Sequence, residues 1–128
     1  MSFNFETVDA DLGAVLKAAL PDNWRVLDAA MGAPVNALTP TLTYLQTEVS
    51  PDMPDGGRLA DDYYVVSFLL DLAVPEKDLI KGGKHLMTLL PQLYRALREV
   101  PDLDYDSATK AVDGVPYYRI TISVLTHS

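Results

Sequence analysis

An α+β fold, a mostly antiparallel β-sheet with two helices packed on one face, is what the sequence predicts, and three observations predict it. Apolar residues recur at helical spacing near the start of the chain. An unusually apolar alternating run lies at its middle. A leucine sector of helical period is followed by a hairpin signal toward the end. The element order is α-β-β-β-α-β-β, and such a mixture of hairpin-linked strands and helices favours an α+β layer arrangement.

Leu12, Val15, Leu16, Ala19 and Leu20 mark the first helix, residues 8 to 20, with Thr7 or Asp9 placed to cap its start and Pro21 to stop it. "NWRVLDAA" carries a short apolar alternation at Trp24, Val26 and Leu27 that suits a strand. "PTLTYLQTEVS", Pro40 to Ser50, is rich in strand-forming Thr, Tyr, Leu and Val. "DYYVVSFLLDLAV" is the strongest strand: Tyr64, Val66, Phe68, Leu70, Leu72 and Val74 are apolar on one face, and Tyr63, Val65 and Leu69 add apolar surface to the other. A strand greasy on both faces belongs at the centre of a sheet.

The second helix is expected over Glu76 to Arg98. Leu79, Leu86, Leu90, Leu93 and Leu97 share one sector, while Lys77, Lys81, Lys84, Thr88, Gln92 and Arg95 gather opposite, a core face backed by a basic stripe. Gly82, Gly83 and Pro91 weaken that helix and predict a late start or a kink. "SATKAV", the Asp113-Gly114 turn and "VPYYRITISVLT" then form a hairpin, which is expected to lie exposed and able to extend a sheet.

Composition narrows the function classes. The 128 residues, 48% hydrophobic, suffice for one domain with its own core. Zero cysteines exclude a disulfide framework and a thiolate zinc site. The start of the chain lacks a signal-peptide pattern, and no apolar stretch reaches bilayer length, so the expectation is a soluble protein made in the cytoplasm, without membrane partners. A formal charge of −8 argues against general nucleic-acid binding. The charge is lopsided: residues 1 to 62 hold ten acids and three bases, a net of −7, and residues 63 to 128 hold eight acids and seven bases, a net of −1.

Catalytic and metal-binding patterns fail on inspection. Asp102, Asp104, Asp106 and Asp113 take positions 1, 3, 5 and 12 of a calcium loop, but Ser107 replaces the glycine demanded at position 6 and a strand follows. "GGKH" lacks the earlier glycine of a phosphate loop, and His85 stands where a Ser or Thr would hold magnesium. His85 and His127 have no partner at ligand spacing, the latter at a frayed terminus. Ser123 has no nucleophile elbow around it. What remains is the hydrophilic tongue "SPDMPDGGRLADD", Ser50 to Asp62, too long for an ordinary hairpin loop, together with the basic stripe and the closing hairpin.

The succession "LPDNWRVLDA", "LTYLQTEVSPD", "VVSFLLDLAVP", "LYRALREVPDLDYDSATKAV" and "YYRITISVLT" resembles the tail terminator proteins of long-tailed bacteriophages, particularly those of actinobacteria, over almost the whole chain. "VLDAAMGAPVNAL" departs from that family's usual link between the first two strands. The resemblance implies a virion protein at the head-proximal end of the tail, a hexameric ring that ends tube polymerisation and presents the surface for head joining. It implies no enzyme activity and no cofactor. The implied partners are identical copies, the tail tube protein and a head-tail connector protein, with DNA passing through the lumen and no sequence-specific contact to it. Complementary charge would set Lys81, Lys84 and Arg95, or Arg58, of one subunit against Asp55, Asp61 and Asp62 of the next. The tongue is expected to be mobile in the free chain and to order on docking. The alternatives are another head-to-tail connector or tail completion protein, and a small calcium-binding or enzymatic domain.

Overall fold

A computed structural model describes residues 3–28, 40–53, 55–74, 79–113 and 115–128. The elements are β1 (Phe3–Asn4), α1 (Val8–Ala19), β2 (Arg25–Asp28), β3 (Thr41–Ser50), β4 (Tyr63–Ala73), α2 (Leu79–Arg98), β5 (Leu103–Tyr105), β6 (Thr109–Asp113) and β7 (Val115–His127). The strands form one sheet in the order β1-β7-β4-β3-β2, with β5 and β6 also paired to β7. This is the expected α+β class.

Both helices bury their apolar stripes against the same sheet face. Leu12 and Leu16 of α1 and Leu86, Leu93 and Leu97 of α2 join Val66, Phe68, Leu70 and Leu72 of β4 and Ile120, Ile122 and Val124 of β7 in one core. Asp9 and Asp11 in the first turn of α1 and Lys17 in its last turn complement the helix dipole. Thr7 is the N-cap, but it makes no side-chain bond to the helix backbone. Its Oγ1 donates to Asp11 Oδ2 at 2.8 Å instead, and Asp9 lies inside the helix. The α2 helix carries Gly82, Gly83 and Pro91 within its span, and residues 76–78 lie outside the described residues.

β4 is central, as its two apolar faces predict. It pairs antiparallel with β3 on one side and with β7 on the other, where the register runs from Tyr63 opposite His127 to Ala73 opposite Tyr117. Val65 faces away from the helices yet is only 6% exposed. A bulge between Gln46 and Glu48 shifts the β3 register, so that Val49 lies opposite Val66.

Four expectations are corrected. The first two strands do not form a hairpin, because β2 pairs parallel to β3 from Arg25 opposite Thr41 to Asp28 opposite Tyr44. A parallel pair needs a connection that returns the length of the strand. Residues 29–39, which hold most of "VLDAAMGAPVNAL" and lie outside the described residues, can span roughly 35 Å when extended, against roughly 13 Å for a four-residue strand. Second, the C-terminal hairpin is not open along both of its strands, because only β6 of the two lacks a second strand neighbour among the described residues. β7 has β4 along one side and β6, β5 and β1 in succession along the other. Third, β1 and β5 are additional short strands, β1 lying parallel to β7 with Phe3 opposite Thr126. Fourth, His127 is a paired residue of β7 rather than part of a frayed end, its ring 6.2 Å from that of Tyr63.

Candidate subunit interface

The tongue between β3 and β4 has a folded tip. Asp52 and Arg58 form an isolated antiparallel bridge, the Met53 N–H donates to the Gly57 carbonyl at 2.6 Å, and the Gly56 N–H donates to the Met53 carbonyl at 2.9 Å. Gly56 has a φ of +90°, a left-handed conformation that glycine adopts without strain. Asp55 accepts the Gly57 N–H on its Oδ1 at 2.9 Å, so this acid closes the turn with its own side chain. At the root, the Asp62 carbonyl accepts the N–H of Ser128 at 2.8 Å. The side chain of Met53, at the start of the tip, lines a cavity of about 280 Å³ with Val65 and Leu125 on the helix-free side of the sheet. Asp55, Arg58, Asp61 and Asp62 are all exposed.

The basic residues of α2 are exposed as expected, and Lys81, Lys84 and Arg95 fall within about 60° of one another around the helix. Gln92 Nε2 donates to the Ala19 carbonyl at 3.3 Å, which fixes the side of α2 that faces α1. At about 100° per residue, Lys81 falls within about 20° of Gln92, whereas Met87, Pro91 and Arg98 lie on the other flank, with Lys84 and Arg95 between. On that flank Tyr94 donates to the Asp106 carbonyl at 2.8 Å, and Arg98 Nε donates to the Tyr105 hydroxyl at 2.8 Å. Arg98 is the member that sequence reading missed. Its signal was a shared sector with the unusually exposed Met87, which is 59% accessible. No ion pair joins Lys84 or Arg95 to the tongue acids among the described residues.

A second acidic locus lies under α1. Tyr44 donates from its hydroxyl to the Asp9 carbonyl at 3.2 Å, and Asp9 Oδ1 is buried without a hydrogen-bond partner. Burial first, and the charge of Asp28 second, raise the Asp9 pKa above the usual 3.8. Tyr44 is raised in the same way, by burial, then Asp28, then Asp9. A carboxylate whose folded pKa is raised binds its proton more tightly in the folded state, so stability falls as pH rises from 3.8 through the folded value. In urea titrations the wild type is therefore expected to lose stability relative to Asp9→Asn as pH is taken from 4 to 7. A difference that stays constant over that range would remove Asp9 as the cause.

The remaining candidates do not converge. β5 runs as an extended strand through the middle of the calcium-like spacing, with Asp104 opposite Ser123, so the backbone does not wrap a cation there. Among the described residues no group of three or more His, Cys, Asp or Glu side chains is placed to hold a metal. "GGKH" is helical within α2. Ser123 Oγ lies 3.5 Å from Ser67 Oγ across two paired strands. Asp71 and Arg119 form a two-pronged ion pair at 2.8 and 3.0 Å on the helix-free face, a solvated contact worth at most about 1 kcal/mol. No helix among the described residues is long and apolar enough to cross a membrane. No family model matches the chain, and no curated protein matches it at a significant level.

Proposed function

We propose that this chain is a structural subunit that assembles with identical copies into a ring, in the manner of the phage tail terminators its sequence resembles. In that role it caps the tail tube at the head-proximal end of the tail, stops tube polymerisation and offers its outer surface to a head-tail connector protein. DNA passes through the lumen. The carrying observation is that oppositely charged exposed groups occupy different parts of one chain, Asp61 and Asp62 on the tongue and Lys84 and Arg95 on α2. Such surfaces suit heterologous contacts, which close into rings when the rotation permits. The tongue supports contact with the tube or a neighbouring subunit, because its tip holds itself together through Asp55 and Gly56 while leaving Arg58 and Asp61 exposed.

The test is assembly of tails with and without this protein, followed by electron microscopy. Tubes that overrun their normal length and fail to join heads are the expected result of omission. Tails of normal length that join heads without it would refute the reading.

A further inference from the structure

Deepening the ring reading and resting on it, we infer that the basic flank of α2, centred on Met87, docks into an acidic-rimmed apolar groove between α1, β1 and the end of α2 on the next copy of the chain. The groove encloses about 570 Å³. Phe3, Val15 and Val100 give it apolar walls, and Asp11 and Glu99 stand at its rim. Met87 is the most exposed large apolar residue among those described, at 59%, and Lys84, Arg95 and Arg98 stand around it on exposed positions of α2. One surface is therefore apolar with cationic neighbours, and the other is apolar with anionic neighbours.

The two surfaces lie on opposite sides of the same helix. The groove includes Asp11, Ala14 and Val15 of α1, on the side where Gln92 meets α1. Met87 shares its sector with Tyr94 and Arg98, which lean instead on residues 105 and 106. A chain cannot fill its own groove with its own flank, and a two-fold pair would need both surfaces within one shared interface, which opposite flanks of a helix do not provide. Head-to-tail stacking is the arrangement that satisfies both surfaces on every copy.

This occupant fits better than the tongue acids as the partner of the α2 flank. Asp55 is committed to its turn, and a cluster of solvated carboxylates would answer the charges but leave Met87 in water. The groove answers both, since complementary charge steers and orients while the buried apolar contact provides affinity. The tongue is then free for the tube. A single contact of this size is weak between two free chains, and closure, in which every copy makes two contacts, stabilises the assembly.

The chain contains no cysteine, so introduced thiols report contacts without background. Ala14→Cys marks the groove and Met87→Cys marks the flank. Mixing the two single variants under mild oxidation is expected to give disulfide-linked pairs at about ten times the yield of either variant alone, and adding Asp11→Lys and Glu99→Lys to the groove variant should reverse that gain. Thr88→Cys, about 100° around the helix from Met87, should not replace Met87→Cys. The double variant Ala14→Cys with Met87→Cys should give a ladder of linked chains. Equal cross-linking from Met87→Cys and Thr88→Cys, or self-linking of Met87→Cys alone, would overturn the inference. A closed ring measured by mass without the 14–87 link would overturn it while leaving the ring reading intact. A ladder that continues into open filaments would support this contact and refute the ring.

Discussion

Phe68→Ala is expected to destabilise the protein by about 3–5 kcal/mol, the range for removing a large aromatic ring from a filled core. Phe68 sits midway along β4, opposite Gln46 of β3 and Ile122 of β7, and is 0% exposed. Its ring packs against that of Tyr44, 6.3 Å away, so truncation strips two layers at once. The neighbouring Leu69 points to the helix-free face, opposite the half-exposed Leu45. Leu69→Ala should cost about 1 kcal/mol or less. Urea unfolding of the two variants, with the denaturant slope checked for constancy, reads the difference. Similar losses from both would mean that the core does not lie on the helix side of β4.

Gly13→Ala is expected to destabilise although alanine favours helices. A side-chain carbon at Gly13 would lie 2.6 Å from the Tyr44 hydroxyl and 3.3 Å from the ring carbon bearing it. Tyr44 is 7% exposed, and its hydroxyl is held by the Asp9 carbonyl, so the ring has little room to withdraw. Overpacking of this kind costs about 1–3 kcal/mol, against roughly 1 kcal/mol gained in helix propensity. The decisive comparison is with Tyr44→Phe, which removes the clashing oxygen. The double variant should be more stable than the sum of the single changes predicts, by about 0.5 kcal/mol or more. Simple additivity would show that α1 does not approach β3 through Gly13.

Those two positions also show what the sequence made legible. The alternation through Tyr64 to Val74 placed β4 at the centre, because apolar residues on both faces leave few other locations. The leucines of α2 identified its buried side, since a 3.6-residue period maps directly onto one face. Lateral neighbours were another matter. Arg119, Thr121 and Ser123 alternate with buried partners in β7, and alternation reports which face meets water, not which strand lies alongside. That is why β5 and β1, the further neighbours of β7, were not foreseen. The parallel pairing of β2 was illegible for a related reason: Arg25 to Asp28 is too short to favour either direction. Phe3–Asn4 is shorter still.

At the candidate interface, exposure of Asp55, Arg58, Asp61, Asp62, Lys81, Lys84 and Arg95 followed from simple patterning. Their placement relative to α1 did not. Which end of the basic stripe lies toward α1 is set by the Gln92 contact with Ala19. The raised pKa of Asp9 was equally hidden, since an aspartate near a helix start reads as a cap until burial under Tyr44 is seen.

The position of β7 carries a consequence for biosynthesis. A ribosome delivers residues 115–127 after every other element described here, yet this is the segment that β1, β4, β5 and β6 all require as a neighbour. Until it emerges, one side of β4 stays open, and its unpaired N–H and C=O groups, flanked by apolar side chains, are a ready template for another nascent chain. Crowded translation at high expression should therefore favour insoluble aggregates, and slower synthesis or a holdase that shields Tyr63–Ala73 should recover properly folded material.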